Sequence, residues 1–269
     1  MTPRTVEAAA SVRGWIPAAA ERLAAAGCDT SRLDAELLVA GALGVDRARL
    51  LLEPEQPVPP EADALLGRRE AREPVAYILG RRAFRHIELA VDPRVLIPRP
   101  ETELLVEVAL ELPHGARVHD VGTGSGAVAL AIKHERPDLA VSASDASPGA
   151  IAVARANAGA LGLDVELRVV DGLPDGDRDL VVANLPYVRT DEMAGLAPEI
   201  ARYEPRSALA AGSDGLDAIR SLVGHARSGT RLALEHAPAQ DGAVRALLDG
   251  AETRADLAGL PRVTVGRAP

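Results

Sequence analysis

Beyond residue 100 the chain alternates short apolar stretches with helical ones, and this alternation limits the fold more than any other feature. The strand candidates are Ala116–Val121, Ala140–Ser144, Val165–Val170, Leu180–Ala183, Arg231–Glu235 and Arg262–Gly266. Helical stretches such as Ala127–His134 and Pro148–Ala160 lie between them. Strands and helices in that order predict an α/β fold with a doubly wound, mainly parallel sheet. The short loop "AGLP" between "ETRADL" and the last strand predicts a terminal antiparallel hairpin. A length of 269 residues leaves room for one large α/β domain and a smaller one. Aromatic residues make up only 2% of the chain, so the core must be built from Ala, Val and Leu. Trp15, Tyr77, Phe84, Tyr187 and Tyr203 are the exceptions.

The remainder divides into a helical region, 1–75, and a linker, 76–98, before the main domain, 99–269. A short helical start runs from Thr5 to about Ser11. Pro17 suits the first turn of the next helix, where it loses no hydrogen bond, and Gly27 suits its end. Ser31-x-x-Asp34 looks like a capping box, and Gly44 stops the helix it opens. "EPEQPVPPEAD" is a proline-rich break. In the linker, Phe84, Ile87, Leu89 and Val91 lean toward strand alternation and predict a β-hairpin with a turn near Asp92-Pro93. Residues 66–100 hold eight arginines against four acids, which reads equally as a docking face for an acidic partner or as a solvated surface.

Net charge is −9, which argues against a broad nucleic-acid footprint. Cys28 is the only cysteine, so neither an internal disulfide nor a cysteine metal site is available. The six histidines lack metal-ligand spacing, and no metal is expected. The N-terminus has no signal pattern, and no apolar run approaches the roughly 20 residues a membrane span needs. A cytoplasmic protein that avoids membranes is the expectation.

The chemistry gathers at strand ends. "VHDVGTGSGAVAL" places Asp120 at the end of one strand, then Gly122, Thr123, Gly124, Ser125 and Gly126, then a helix. Glycines permit positive φ and close backbone approach to a ligand. The next strand ends in Asp145, 19 residues after Gly126, where a carboxylate can take both hydroxyls of a ribose. The third ends in Asp171-Gly172, where a side chain and a backbone N–H can meet an adenine edge. Together these three ends resemble the S-adenosylmethionine site of class I methyltransferases. That resemblance implies a seven-stranded Rossmann-like sheet whose last hairpin is antiparallel.

The fourth strand runs into Asn184-Leu185-Pro186-Tyr187. In that fold this tetrapeptide is similar to the N-P-P-Y motif of enzymes that methylate planar nitrogen. An amide or aromatic amine nitrogen is a poor nucleophile because its lone pair is delocalised. The Asn184 side-chain oxygen can accept one substrate N–H and the Leu185 carbonyl the other. This holds the nitrogen in line and stabilises the charge that builds on it. Tyr187 can pack on the planar group. Leu185 stands where the motif has its first proline, and Pro186 still biases it toward extended backbone.

N-L-P-Y is itself the form found in rRNA adenine dimethyltransferases, so an rRNA adenine-N6 methyltransferase is the alternative reading. The rest of the chain points elsewhere. "EPVAYILGRRAFRHIELAVDPRVLIPRPETELLVE", residues 73–107, resembles the linker and domain entry of the protein-(glutamine-N5) methyltransferases that modify peptide chain release factors. "RLDAELLVAGALG", "RYEPRSALAAGSDGLDAIRSL" and "DLAGLPRVTVGR" resemble other segments of that family. The resemblance implies a substrate glutamine in the Gly-Gly-Gln loop of bacterial class I release factors, with the N-terminal helical domain helping to dock the factor. It implies that Gly122, Thr123, Gly124, Ser125, Gly126, Asp145, Asp171, Gly172 and Asn184 contact S-adenosylmethionine. It also implies that Asn184, Leu185, Pro186 and Tyr187 hold the glutamine and form the catalytic turn. Pro98 and Pro100 stiffen the "IPRPETE" entry, with Arg99 expected to pair with Glu101 or Glu103. The chain departs from the family in having His119 at an apolar strand position and no aromatic residue beside Gly172.

Overall fold

The structure, a computed structural model, describes residues 11–269. They divide into two compact units. One runs up to Gly80 and takes in Pro198–Tyr203; the other holds Arg81–Ala197 and Glu204–Pro269. The helical start read from Thr5 lies, as far as residue 10, outside the described residues; Ser11 bridges Pro57 as extended backbone.

In the first unit, helices Val12–Ala25, Ser31–Leu43, Arg47–Leu52, Glu61–Glu70, Val75–Leu79 and Pro198–Tyr203 are assembled. Leu23, Leu38 and Leu66 lie at the centre of the core. Trp15 packs beside them and donates its Nε1–H to Asp63 at 2.9 Å, which satisfies its one polar atom. Pro17 does not open its helix. The helix begins at Val12, and Pro17 sits inside it. The lost bond to the Arg13 carbonyl is outweighed by burial of the Val12, Trp15, Ala19 and Leu23 stripe. The Ser31-x-x-Asp34 capping box does not form either. Thr30 is the N-cap, and Asp34 turns inward to accept from the Thr30 hydroxyl at 2.8 Å and from Arg69 Nε at 2.7 Å. Arg69 also donates to Glu199 at 2.8 Å, and Arg72 forks onto the same carboxylate at 2.7 and 2.8 Å. Burial pulls Glu199 upward, but the bonds from Arg72 and Arg69 prevail and hold it at about 2. The short helix Pro198–Tyr203 is thus fastened by charge-assisted bonds.

These pairs also change the reading of the arginine-rich stretch. Arg68, Arg69, Arg72, Arg81, Arg85, Arg94 and Arg99 all find acidic partners within the chain. Seven of the eight are therefore neutralised internally, which leaves little free positive charge for an acidic partner. Arg99 pairs with buried Glu204, not with Glu101 or Glu103.

Residues Tyr77–Leu79 belong to helix Val75–Leu79, which opens after Pro74 and stops at left-handed Gly80. The hairpin follows as β1 (Arg81–Phe84) and β2 (Ile87–Ala90). Its turn is Arg85-His86, with Arg85 at φ 49°, and Asp92-Pro93 comes after it. Pairing Phe84 with Ile87 across a two-residue turn buries both, which fixes the register there.

The second unit is built on seven strands: β3 (Arg117–Val121), β4 (Ala140–Asp145), β5 (Glu166–Val169), β6 (Leu180–Ala183), β7 (Arg231–Glu235), β8 (Asp249–Ala255) and β9 (Pro261–Arg267). Their order is β5-β4-β3-β6-β7-β9-β8. The first five are parallel, and β9 runs antiparallel to both β7 and β8. Consecutive residues of β6 enter different cores: Leu180 and Val182 pack on one face, Val181 and Ala183 on the other. Helices cover both faces, so the run is apolar throughout instead of alternating. β8 is the first arm of the expected terminal hairpin, although it starts earlier than "ETRADL". It is an edge strand of sequence DGAETRA with no fully buried residue and two register shifts, so it lacks the apolar signal of the others.

Candidate active site

The sheet register brings the chemical residues level. Val121 pairs with Ser144 on one side and Ala183 on the other, and Ala183 pairs with Leu234. The strand ends that precede Gly122, Asp145, Asn184 and Glu235 therefore lie along one edge. The strand order reverses between β3 and β6, and a crevice opens beyond the carboxyl ends at such a switch point.

A cavity of about 680 Å³ lies there. Gly122, Thr123, Gly124, Ser125, Asp145, Asp171, Gly172, Asn184, Leu185 and Pro186 line it. Gly126 and Tyr187 do not. Gly126 starts the helix Ala127–Glu135 behind the turn, and the Tyr187 hydroxyl points to Glu235. Gly122, Gly124 and Gly126 all have positive φ, which keeps the turn tight. At Gly122 a Cβ would lie 3.0 Å from Leu185 Cδ2, so the glycine turn and the Asn184 turn are in close approach. Asp145 braces this turn: its Oδ2 accepts the Gly124 N–H at 3.0 Å and its Oδ1 the Ser147 N–H at 2.8 Å. Each carboxylate oxygen keeps a further lone pair.

Asn184 is fixed by a residue outside its own turn. Its Nδ2 donates to Thr102 Oγ1 at 2.9 Å, and Thr102, from the "IPRPETE" entry, also lines the cavity. No described hydrogen bond uses Asn184 Oδ1 or the Leu185 carbonyl, so both acceptors are open to a ligand. The turn is pinned further along by Gln240, whose Nε2 donates to the Tyr187 carbonyl at 3.0 Å. Glu235, only 2% exposed, sits at the end of β7. Its Oε1 accepts the Tyr187 hydroxyl at 3.4 Å. Among the described residues, Glu204 Oε2 and Glu235 Oε2 are the buried side-chain oxygens without a partner. Burial raises Glu235 to about 7, against the pull of the neighbouring Thr102 and Tyr187 hydroxyls. Burial likewise raises the Tyr187 hydroxyl.

Asp120 is buried at the cavity floor and accepts the Thr123 hydroxyl at 2.7 Å. Burial pushes it to about 7 despite that bond, and the charge of Asp145 adds to the rise. His119, between Ser142 Oγ at 2.8 Å and Ser144 Oγ at 2.9 Å, is pushed down to about 3 by burial and is a neutral member of the sheet. Among the described residues no group of His, Cys, Asp or Glu has the arrangement of a metal site, and no helix is long and apolar enough to cross a membrane.

Thr102, Glu235 and Gln240 were not singled out from the sequence. Thr102 lies inside a motif dominated by prolines and charges, which gives a lone hydroxyl no separate signal. Glu235 shared the signal that marked Asn184, a polar residue directly at the end of an apolar strand.

Comparison with known proteins bears on the family and the fold. Residues 15–80 match the family model of the PrmC N-terminal domain, and residues 100–203 that of the methyltransferase small domain. The chain is 44% identical over 273 residues to a release factor glutamine methyltransferase of Cereibacter sphaeroides, covering 97% of this chain and 94% of that protein. It is 43% identical to one of Xylella fastidiosa, covering 94% and 99%. The solved catalytic domain of hMettl16, in complex with MAT2A 3'UTR hairpin 6, superposes with a TM-score of 0.51 at 13% identity, over 66% of this chain and 75% of that one. At that identity the match speaks to the fold alone.

Proposed function

The chain belongs to the release factor glutamine methyltransferase family, and on that premise we propose that it methylates the side-chain amide nitrogen of the glutamine in the Gly-Gly-Gln loop of bacterial class I release factors. S-Adenosylmethionine supplies the electrophilic methyl group. The residues present suit it. The positive-φ turn Gly122–Gly126 leaves backbone room for an extended ligand. Asp145 keeps lone pairs for ribose hydroxyls at the neighbouring strand end, and Asp171 and Gly172 line the same cavity for the adenine edge.

The single observation that carries the reading is the open pair of acceptors on the Asn184 turn. Asn184 spends its amide N–H on Thr102, which leaves Oδ1 as an acceptor. Oδ1 and the Leu185 carbonyl each take one N–H of the substrate amide and hold its nitrogen in line. They stabilise the positive charge that develops there. No strong base is needed, because the remaining N–H protons become acidic as the nitrogen gains its methyl group. Pro186 keeps Leu185 extended, and Tyr187, set behind the cavity lining, anchors the turn through its hydroxyl on Glu235. The N-terminal helical domain docks the factor, and the site works in the cytoplasm.

The test is transfer of labelled methyl from S-adenosylmethionine to purified, unmethylated release factor, with unmethylated ribosomal RNA as a parallel substrate. Label in the factor supports the proposal. Label in the RNA alone, or cofactor binding without any product, overturns it.

A further inference from the structure

Three polar side chains stand together on a sheet face that is otherwise apolar, beside Val121, Val181 and Ala183. His119 of β3 pairs directly with Ser142 of β4, and Ser144 follows two residues on, so the three share that face. The imidazole spans both hydroxyls: Nδ1 lies 2.8 Å from Ser142 Oγ, and Nε2 lies 2.9 Å from Ser144 Oγ. His119 is buried, and Ser144 completely so. Each serine also reaches a carbonyl. Ser144 Oγ donates to that of Gly172 at 3.2 Å, and Ser142 Oγ lies 3.3 Å from that of Val118.

Counting protons gives these contacts a direction. Burial, with the charges of Arg178 and Arg168 adding to it, holds the imidazole neutral. The ring and the two hydroxyls therefore bring three protons to four contacts. With the ring proton on Nδ1, Ser144 must donate to Nε2, and the Gly172 carbonyl loses its donor. With the proton on Nε2, the ring donates to Ser144, Ser144 donates to Gly172, and Ser142 donates to Nδ1. The contact then left out is that of Ser142 with Val118. The second arrangement costs less. The carbonyls of β3 alternate between its neighbours, since that of Ala116 accepts from Ala140 N–H at 3.0 Å and that of Arg117 from Asp179 N–H at 2.9 Å. The Val118 carbonyl thus faces β4 and is used by the ladder. Gly172 lies in a turn, and no other described hydrogen bond reaches its carbonyl.

We infer that His119 is a positioning residue for the cofactor: its Nε2–H fills the Ser144 oxygen, directs the Ser144 proton onto the Gly172 carbonyl, and so sets the Asp171-Gly172 turn at the cavity wall. The inference rests on the adenine role proposed above for that turn. Gly172 is left-handed at φ +83° and lies beyond the end of β5 at Val169, so the ladder does not hold it. It is tied to the end of β4 instead. Val170 N–H donates to the Asp145 carbonyl at 3.0 Å, and Ser144 takes the Gly172 carbonyl two residues later. Both ties flank the carboxylate proposed for the ribose, so they hold the adenine-side turn in fixed relation to it. A histidine at an otherwise apolar strand position is accounted for by this connection.

The test uses the full chain as wild type, Ser144→Ala, His119→Leu, Ser142→Ala and Asp171→Ala. Calorimetry measures S-adenosylmethionine affinity, and methyl transfer to unmethylated release factor gives kcat at saturating cofactor. Ser144→Ala weakens binding about 3- to 10-fold, the scale of one neutral hydrogen bond, and does not lower kcat at saturation. His119→Leu weakens it about 2- to 5-fold, because Ser144 keeps its proton but loses the donor that aims it. Ser142→Ala removes a bond to the same ring with no path to Gly172 and leaves the affinity as it was, which separates positioning from general damage to the sheet. Nitrogen NMR of histidine-labelled wild type, with His119 assigned by its loss in His119→Leu, finds the ring proton on Nε2. A proton on Nδ1, wild-type affinity in Ser144→Ala, or an equal loss in Ser142→Ala refutes the positioning role. If Asp171→Ala still weakens binding, that failure leaves the adenine reading standing. Wild-type affinity in Asp171→Ala overturns the adenine reading and this inference together.

Discussion

Changing Gly126 to alanine isolates the packing demand that shapes the cofactor turn. Gly126 has φ +85°, a left-handed conformation that costs an ordinary residue about 1–2 kcal/mol. An added Cβ would also lie 2.9 Å from Leu130 Cδ1, 3.2 Å from Leu130 Cγ and 3.3 Å from Ala154 Cβ. Leu130 and Ala154 are both fully buried, so neither has free space to retreat into. Overpacking of this kind adds about 1–3 kcal/mol, for a total near 2–5 kcal/mol. Gly124 is the internal control: its φ is +56° and nothing lies within 4 Å of its Cβ position. Gly124→Ala therefore carries only the conformational cost, about 1–2 kcal/mol. Urea unfolding of the two full-length variants against wild type measures the difference. If Gly126→Ala proves no more destabilising than Gly124→Ala, the helix start is not tightly packed and the reasoning fails.

Asp145→Ala weakens S-adenosylmethionine binding by about 1–3 kcal/mol in calorimetry, because the hydrogen bonds to a charged acceptor are lost; unchanged affinity would remove it from the ribose role. Asp120 has its carboxyl pKa raised from 3.8 to about 7, so the folded protein binds its proton more tightly than the unfolded chain does. Its contribution to stability is present at the acid end and is lost as pH rises between those values, by up to about 4 kcal/mol. Asp120→Asn does not titrate, so its stability relative to wild type increases from pH 4 to 7 in denaturant titrations; a constant difference would contradict the raised pKa. Asp34→Ala leaves Arg69 with Glu199 as its one carboxylate partner and costs about 3 kcal/mol in thermal unfolding, as expected for breaking a buried ion pair; a change below about 0.5 kcal/mol would mean that Glu199 suffices.

The parallel strands were legible because burial on both faces writes an uninterrupted apolar run, as in Leu180–Ala183. The glycine turn and Asn184 were legible because each follows such a run at once. What escaped notice was set by distant partners. Asp34 reads as a cap residue until Arg69, 35 positions later, draws it inward. Pro17 reads as a helix start until the buried stripe on either side of it outweighs one missing bond. Arg99 stands two positions from Glu101 yet pairs with Glu204. Thr102 and Asn184 are 82 positions apart in the chain and meet only through the tertiary fold. Local pattern thus located the elements and the edge of the sheet that holds the site, while the side-chain pairings depended on tertiary contacts that no local pattern encodes.

Tandem mass spectrometry of the Gly-Gly-Gln peptide, after incubation of unmethylated release factor with the chain and S-adenosylmethionine, bears most directly on the central proposal. The expected spectrum carries one added methyl group on the glutamine side-chain amide, and that signal falls by about 10²–10³ in initial rate with Asn184→Ala. A methyl group on any other residue of the factor, or an unmodified glutamine while ribosomal RNA is methylated, would contradict it.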